Sequence, residues 1–186
     1  MAGIFQQIRM YVYSLETDQF FSTKDLIGIG KRSTIDNGIA RLVNMGLVVR
    51  VARGLFVKQG FDLSTLTIDS IVAAKSKAFG REIIPDPDNP GEFLTNGSSS
   101  SFDTILGRVT VRGVCPRKMM LARNSLASQL LRIWDGLKLN KSCRRVIDCI
   151  NSLRNSYRKE TLGRYLRYLP SWITDQLSIR VEASSS

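Results

Sequence analysis

Six polar side chains near the middle of the first sixty residues have types and spacing suited to nucleic-acid recognition. They are Lys31, Arg32, Ser33, Thr34, Asn37 and Arg41. An arginine can donate two parallel hydrogen bonds to guanine, and an asparagine can pair in the same way with adenine. Ser33 and Thr34 near a helix start could hold a phosphate with the help of backbone N–H groups. This chemistry requires a helix that projects the side chains outward.

The pattern around these side chains predicts that helix. Apolar residues recur at helical spacing, at Ile35, Ile39, Leu42 and Val43. Ser33 is expected to cap the helix start, with Asp36 three residues later completing an aspartate version of the capping box. Gly46 stands where a left-handed residue commonly follows a helix.

A basic hairpin is predicted directly after this helix. The segments "LVVRV" and "LFVK" favour strands, and "ARG" between them favours a turn. Arg50, Arg53 and Lys58 belong to the hairpin and could bind phosphate, and Arg53 at its tip could also probe a minor groove.

Two further helices are predicted ahead of these elements, over residues 3–15 and 23–27. Three helices and a hairpin make residues 1–60 a predicted winged helix-turn-helix domain, whose third helix would enter the DNA major groove. Protein binding and RNA binding remain alternatives for such a module. The simplest alternative is that these charges are only solvated.

The charge of the chain is positive but unevenly distributed. The total of +11 divides into +4 for residues 1–60, −2 for residues 61–113 and +9 for residues 114–186. A basic chain is attracted to polyanions, although charge alone does not separate DNA from RNA or from an acidic protein. No run suits a membrane span and no secretory leader is evident, so a cytoplasmic protein is expected.

Composition also lowers the prospect of catalysis. The chain has no histidine, which removes the commonest general base and most zinc sites. Its three cysteines are odd in number and lack C-x-x-C spacing, so they are expected to be small buried hydrophobic residues. No enzyme activity, metal site or cofactor is therefore predicted.

Residues 61–186 are expected to form a second domain, with a mixed segment over 61–113 and a helical domain over 114–183. A helix is predicted over about 67–79 and a strand around Val109 and Val111. The proline-rich segment 85–91 and the serine run 98–101 are expected to be loops. The predicted fold class is α+β, mainly α, with an N-terminal winged helix-turn-helix and a helical C-terminal domain.

A second basic surface is possible in the C-terminal part, where tyrosines interleave with cations in "NSYRKETLGRYLRYLP". Arginine could bind phosphate there while tyrosine stacks on an exposed base, which would suit RNA. The alternative is an amphipathic helix pair with half-buried tyrosines and solvated arginines. The candidate residues are Arg117, Lys118, Arg154, Arg158, Lys159, Arg164 and Arg167.

The stretch "FFSTKDLIGIGKRSTIDNGIARLVNMGLVVRVARGLFVK" resembles the N-terminal domain of AbiEi-family antitoxins from type IV toxin–antitoxin systems. Later segments, among them "GRVTVRGVCPRKMMLA" and "LGRYLRYLPSWITDQL", are also similar to that family. The sequence departs at Phe56, where many relatives have tyrosine, and in the middle, where the proline-rich loop replaces a longer passage.

The resemblance implies a transcriptional repressor that binds inverted repeats in the promoter of its own operon as double-stranded DNA. It also implies a C-terminal part that counters a nucleotidyltransferase-like toxin, acting on the effect of the toxin rather than through a stable complex. The alternative hypothesis is an RNA- or protein-binding module that uses the basic C-terminal helices without operator-specific DNA binding.

Overall fold

The computed structural model describes residues 3–87, 89–123, 125–139, 152, 159–171 and 173–174. The chain divides into two compact units, one made of Met1–Ile83 with Gly97–Arg112 and the other of Ile84–Asn96 with Gly113–Ser186. None of the helices in the described part of the chain combines the length and the apolar character needed to cross a bilayer.

The elements follow one another in a mixed order of helices and strands. As far as residue 79 they are α1 (Ile4–Ser14), β1 (Phe20–Ser22), a 3₁₀ helix (Ile27–Ile29), α2 (Arg32–Asn44), β2 (Val48–Ala52), β3 (Leu55–Lys58), a 3₁₀ helix (Leu63–Thr65) and α3 (Ile68–Phe79). After that come β4 (Ile83–Pro85), β5 (Glu92–Thr95), β6 (Ser100–Thr104), β7 (Gly107–Gly113), α4 (Pro116–Ala122), α5 (Ser125–Leu139) and α6 (Lys159–Leu166).

The predicted fold class is wrong, because the strands form a mixed seven-stranded sheet in the order β1-β3-β2-β6-β7-β5-β4. A mainly helical chain with a helical C-terminal domain is not observed. The error comes partly from segments that local composition predicts as loops. Of the segment 85–91, Pro85 ends β4, while the described residues between Pro85 and Glu92 belong to no helix or strand, as predicted. Ser100 and Ser101 of the serine run belong to β6.

Strand β6 shows how pairing overrides composition. It lies antiparallel to β7, with Phe102 opposite Val109 and Ser100 opposite Val111. Serine has little preference for strands, but a partner strand with buried Val109 and Val111 supplies the ladder that fixes the backbone. The predicted strand around these two valines is confirmed as β7.

The proline-rich stretch has internal order that its composition conceals. The Asp86 N–H donates to the Glu92 carbonyl at 2.9 Å, and the Asn89 side-chain amide donates to the Asp86 carboxylate at 3.0 Å. Asp86 is only 4% exposed, although it lies in a segment without helix or strand. These bonds close the chain between β4 and β5.

The first sixty residues confirm some predicted elements and correct others. Helices α1 and α2 and the strands of the hairpin are present. The helix predicted over residues 23–27 is absent: residues 23–26 form turns, and only Ile27–Ile29 make a 3₁₀ helix. The Asp25 carboxylate accepts hydrogen bonds from the Ser22 N–H and hydroxyl at 2.7 and 2.9 Å, which closes a local turn in place of a helix.

The β2–β3 hairpin is not an exposed wing, because apolar side chains bury both of its faces. Val48 and Phe56 belong to one core cluster with α1 and α2, while Val51 and Leu55 belong to another with Ile71 of α3. Strand β1 pairs with β3 along one edge, and Ala52 of β2 pairs with Thr104 of β6 on the other. A wing lying freely along DNA is therefore excluded.

Helix α3 confirms the predicted helix over about 67–79, and Thr67 caps its start. Thr67 and Ser70 exchange side-chain-to-backbone hydrogen bonds, each of 3.1 Å, in a capping box. Gly80 ends the helix in the left-handed conformation. The helix buries Ile71 and Val72.

The second unit has its own apolar core. Its buried residues are Leu94, Met119, Leu121, Leu130, Leu131, Ile133, Leu169 and Ile173. Cys115 precedes α4 and is exposed, contrary to the expectation of a buried thiol. Cys143 and Cys149 lie outside the described residues.

Candidate nucleic-acid interface

Helix α2 carries the first group of candidate residues, and it begins earlier than predicted. The Lys31 carbonyl accepts the first helical hydrogen bond, from the Ile35 N–H at 3.0 Å, so Lys31 occupies the capping position. Ser33 is therefore inside the helix and not its cap. Because no side chain caps this end, N–H groups of the first turn remain available to an external anion.

The outer face of α2 is polar and exposed. Lys31, Arg32, Ser33, Thr34, Asn37 and Arg41 are all exposed, as the sequence predicts for residues that contact a partner. The opposite face buries Ile35, Gly38, Ile39 and Leu42. The Arg41 guanidinium lies 4.4 Å from the centre of the Phe5 ring of α1. This contact steadies Arg41 beside the helix.

Arg32 is held by a neighbour one helical turn away. Its Nε donates to both carboxylate oxygens of Asp36 at 3.1 Å. The two side chains are 58% and 50% exposed, so the pair adds little stability. Its main effect is to order the guanidinium while its terminal nitrogens stay available for an incoming acceptor.

Arg50 and Arg53 project from the hairpin into solvent, although the hairpin itself is buried. The Arg50 guanidinium lies 5.8 Å from the centre of the Phe56 ring. Arg53 and Gly54 form the two-residue turn, in which Gly54 has a φ of 76°. That left-handed conformation favours glycine over any residue with a Cβ.

Contacts from α3 and residue 23 fix this turn. The Lys75 ammonium donates to the Arg53 carbonyl at 3.0 Å, and the Thr23 N–H donates to the Gly54 carbonyl at 3.4 Å. A Cβ at position 54 would lie 3.1 Å from Cζ of Phe79. Arg53 therefore extends from a rigid backbone, which limits the entropy lost when it binds a partner.

These elements enclose a groove of about 640 Å³, here called the α2 groove. Four cations line it: Arg32, Arg50, Arg53 and Lys75. Apolar side chains form its floor, chiefly Ile39, Val43, Phe56, Phe79 and Phe102. All of these residues belong to the first compact unit. The sequence-predicted Arg32, Arg50 and Arg53 are thus brought together.

Positive charge in the α2 groove is only partly compensated. Asp36 pairs with Arg32, but within the described residues no carboxylate pairs with Arg50, Arg53 or Lys75. Burial of Lys75 lowers its pKa from the usual 10.5, and the neighbouring positive charge of Arg53 lowers it further. The contribution of Arg53 reflects repulsion between two neighbouring cations, which an added negative charge would relieve.

Lys58 has a different role from the other hairpin cations. Its ammonium donates to the carbonyls of Tyr13 and Leu15, each at 3.0 Å. These carbonyls are at the C-terminal end of α1, where a positive charge stabilises the helix. Lys58 therefore does not join Arg50 and Arg53 at the α2 groove.

The second candidate surface is only partly described. Arg117 of α4 and Arg164 of α6 are exposed. Lys118 instead forms an ion pair with Asp135 and lies 5.1 Å from the centre of the Trp134 ring. Its side chain is 14% exposed, so it holds α4 against α5 and is not open to a partner.

The other candidate cations of the second surface are either held by a neighbouring side chain or only partly described. Arg167 donates to the hydroxyl of the adjacent Tyr168 at 2.8 Å and lies over its ring. Arg154 and Arg158 lie outside the described residues, and Lys159 begins α6. Arg117, Arg164 and Arg167 do not line the groove beside α2.

Sequence reasoning missed Lys75, Phe79 and Phe102 as members of the groove. They come from α3 and β6, and their place beside α2 depends on how those elements pack against the hairpin. The only local sign is Gly54, because a glycine in a tight turn permits close approach by another side chain. That sign does not identify which side chain approaches.

No protein-family model, curated protein or solved structure matches this chain. In the part of the chain that the structure describes, no group of three potential metal ligands comes together. Support for a function therefore comes from the α2 groove and the exposed face of α2, and from the resemblance noted in the sequence.

Proposed function

We propose that this chain binds double-stranded DNA through the outer face of α2 and the adjacent hairpin turn. The single observation that carries the proposal is the convergence of Arg32, Arg50 and Arg53 on one side of an exposed polar helix. An isolated basic helix would attract any polyanion. Cations from a second, rigid element add a fixed geometry that a duplex backbone can match.

In this proposal α2 lies in the major groove, which is wide enough to admit a helix. Asn37 and the terminal nitrogens of Arg32 contact base edges, while Arg50 and Arg53 contact phosphates of the flanking backbone. Thr34, on the same exposed surface, adds a phosphate contact. Asp36 repels phosphate, so it restricts binding to poses in which its neighbour Arg32 faces the bases or a cytosine amino group is near.

The biological role that we propose follows from the resemblance to AbiEi-family antitoxins. The chain acts in the cytoplasm as a non-enzymatic repressor, binds inverted repeats in the promoter of its own operon, and counters a nucleotidyltransferase-like toxin without a stable complex. The exposed polar face of α2 and the arginines beside it support the repressor part. The basic segment after residue 113, which carries a net charge of +9, supports a separate antitoxin surface.

The test is a binding titration of the full chain with its own upstream duplex and with a scrambled duplex, at two salt concentrations. We expect a preference for the upstream duplex that persists at the higher salt, because base contacts do not depend on counterion release. Equal binding to both duplexes that vanishes with salt would contradict the proposal. It would favour the RNA- or protein-binding alternative.

Asn37→Ala sharpens the test. Loss of a bidentate adenine contact is expected to cost about 1–3 kcal/mol at one base position and to relax discrimination there. Lys77→Ala is a matched control, since Lys77 is exposed on α3 and does not line the groove. An Asn37 variant with unchanged base preference would exclude α2 as the reading element.

A further inference from the structure

The geometry points to a ligand site in the α2 groove for a nucleoside monophosphate unit, with a flat base on the apolar floor and a phosphate among the cations. This inference shares three arginines with the proposed function, but it stands on features that binding of a duplex by α2 would not need. Those features are a concave apolar floor, a fourth cation that is partly buried, and a buried hydroxyl without a partner.

The floor of the groove suits a flat aromatic ring. Phe56 and Ile39 are buried in the core beneath it, while Phe79 and Phe102 are only partly covered. The volume of about 640 Å³ lies within the roughly 300–1,000 Å³ typical of small-molecule sites. A duplex backbone would contact only the rim, so this floor remains unexplained by the proposed function.

Lys75 gives the groove a charge placed inside it and not at its rim. Its ammonium lies 4.4 Å from the centre of the Phe102 ring and 5.1 Å from that of Phe79. It also donates to the Arg53 carbonyl at 3.0 Å, and the Arg53 guanidinium is near enough for its charge to lower the pKa of Lys75. Two adjacent cations without a carboxylate partner among the described residues favour a doubly charged phosphate over a carboxylate.

Thr23 supplies an independent sign of a ligand. It lines the groove, is 3% exposed, and its hydroxyl has no hydrogen-bond partner within the described residues. Buried hydroxyl groups are satisfied in most folded proteins, so an orphaned one at the wall of a groove is unusual. A polar group on a bound nucleotide could satisfy it after a small shift of the wall.

Two sources could supply the same chemistry. One is a free nucleotide, which would compete with the duplex backbone for Arg50 and Arg53. The other is an unstacked nucleotide within a bound strand, whose base would enter the groove while its phosphate stays at the rim. Both place one base and one phosphate in the same positions.

The experiment is calorimetric titration of the full chain with guanosine monophosphate, guanosine and inorganic phosphate, each alone. We expect guanosine monophosphate to bind at least tenfold more tightly than either fragment, because only the whole unit contacts both the floor and the cations. Equal affinity for inorganic phosphate would mean simple anion attraction and would overturn the inference. Absence of binding at millimolar concentration would do the same.

Variants locate the site. Ala40→Trp places a large side chain in the groove from the exposed face of α2 and keeps every cation, so it should abolish binding. Lys75→Gln should weaken binding at least tenfold, whereas Lys77→Gln on the outer side of α3 should leave it unchanged. Two variants are used so that the test still stands if one of them folds poorly. Unchanged nucleotide binding in the folded variants would overturn the inference.

Competition separates the two sources. Displacement of guanosine monophosphate by a single-stranded oligonucleotide identifies a strand nucleotide as the source, and no displacement by the single strand identifies a free nucleotide. The inference and the proposed function can fail separately. If the protein binds duplex DNA but not guanosine monophosphate, only the inference about the groove is wrong. If it binds guanosine monophosphate but not duplex DNA, only the proposed function is wrong.

Discussion

The hairpin cations beside α2 and Lys118 of α4 differ in whether a carboxylate compensates their charge. Arg50 and Arg53 are exposed and make no ion pair within the described residues, whereas Lys118 is paired with Asp135 and packed against Trp134. Yet the sequence after residue 113 carries +9 and the first sixty residues only +4. Net charge therefore does not identify a binding surface. The decisive feature is whether the fold already satisfies each charge.

Removing the two hairpin arginines should produce the largest effect. Arg50→Gln with Arg53→Gln is expected to weaken duplex binding about tenfold per contact, or roughly 1.4 kcal/mol each, because two fixed phosphate contacts are lost. Fluorescence anisotropy with a labelled duplex measures this. The matched control is Arg117→Gln, which removes an exposed cation from the second unit and should change affinity little. If the Arg117 variant lost as much duplex affinity as the Arg50, Arg53 variant, the two regions would not differ in DNA binding.

For Lys118 we expect a loss of stability without a loss of duplex affinity. Lys118→Gln should lower the free energy of unfolding by roughly 1–3 kcal/mol, because Asp135 loses a charged donor in a partly buried pair. Duplex affinity should stay within twofold of the wild type. Urea denaturation measures the first quantity, and Asp135→Asn should give a similar, non-additive loss. A stable Lys118 variant with weakened DNA binding would place Lys118 at the interface instead.

The rigidity of the hairpin turn can be tested with two glycines. Both Gly54 and Gly46 have positive φ, of 76° and 71°, so alanine at either position should cost about 1–2 kcal/mol. Only at Gly54 would a Cβ also meet Phe79, at 3.1 Å, whereas no atom lies within 4 Å at Gly46. Gly54→Ala should thus cost roughly 1 kcal/mol more. Thermal unfolding measures both losses of stability. Equal losses in the two variants would show that α3 does not support the turn.

The smallest expected effect concerns Lys75 and pH. Because its pKa in the folded protein lies below the usual 10.5, the unfolded chain binds more protons between the two values. Stability should therefore rise slightly with pH as Lys75 loses its proton, up to about pH 10.5. Lys75→Met should remove that increment in urea denaturation curves, and Lys77→Met should retain it. An unchanged pH profile in the Lys75 variant would mean that its ammonium is not destabilised in the groove.

The sequence predicts the parts of this fold that depend on local pattern. Helices α1, α2 and α3 show the expected spacing of apolar residues, and the hairpin follows Gly46 as predicted. The strands β4, β5 and β6 could not be predicted in this way. Ser100 and Ser101 take strand structure by pairing with β7, and β4 and β5 border the proline-rich segment; local propensity does not contain this pairing.

The residues of the candidate site also divide into those that local pattern predicts and those whose position depends on tertiary packing. Exposure of Arg32, Asn37 and Arg41 follows from helical periodicity, so the pattern was sufficient for them. The position of Lys58 apart from the groove does not follow from local pattern, because its partners are carbonyls at the end of α1, more than forty residues earlier in the chain. Lys75 was missed for the opposite reason, since its approach to Arg53 exists only in the folded molecule.

The salt dependence of duplex binding tests the central claim most directly. For the wild-type chain and the Arg50→Gln, Arg53→Gln variant, the logarithm of the binding constant would be measured against the logarithm of salt concentration. If both arginines contact phosphate, the slope should become shallower by about 1.8, since each contact contributes roughly 0.9. An unchanged slope would show that the hairpin does not touch the DNA backbone and would contradict the proposed interface.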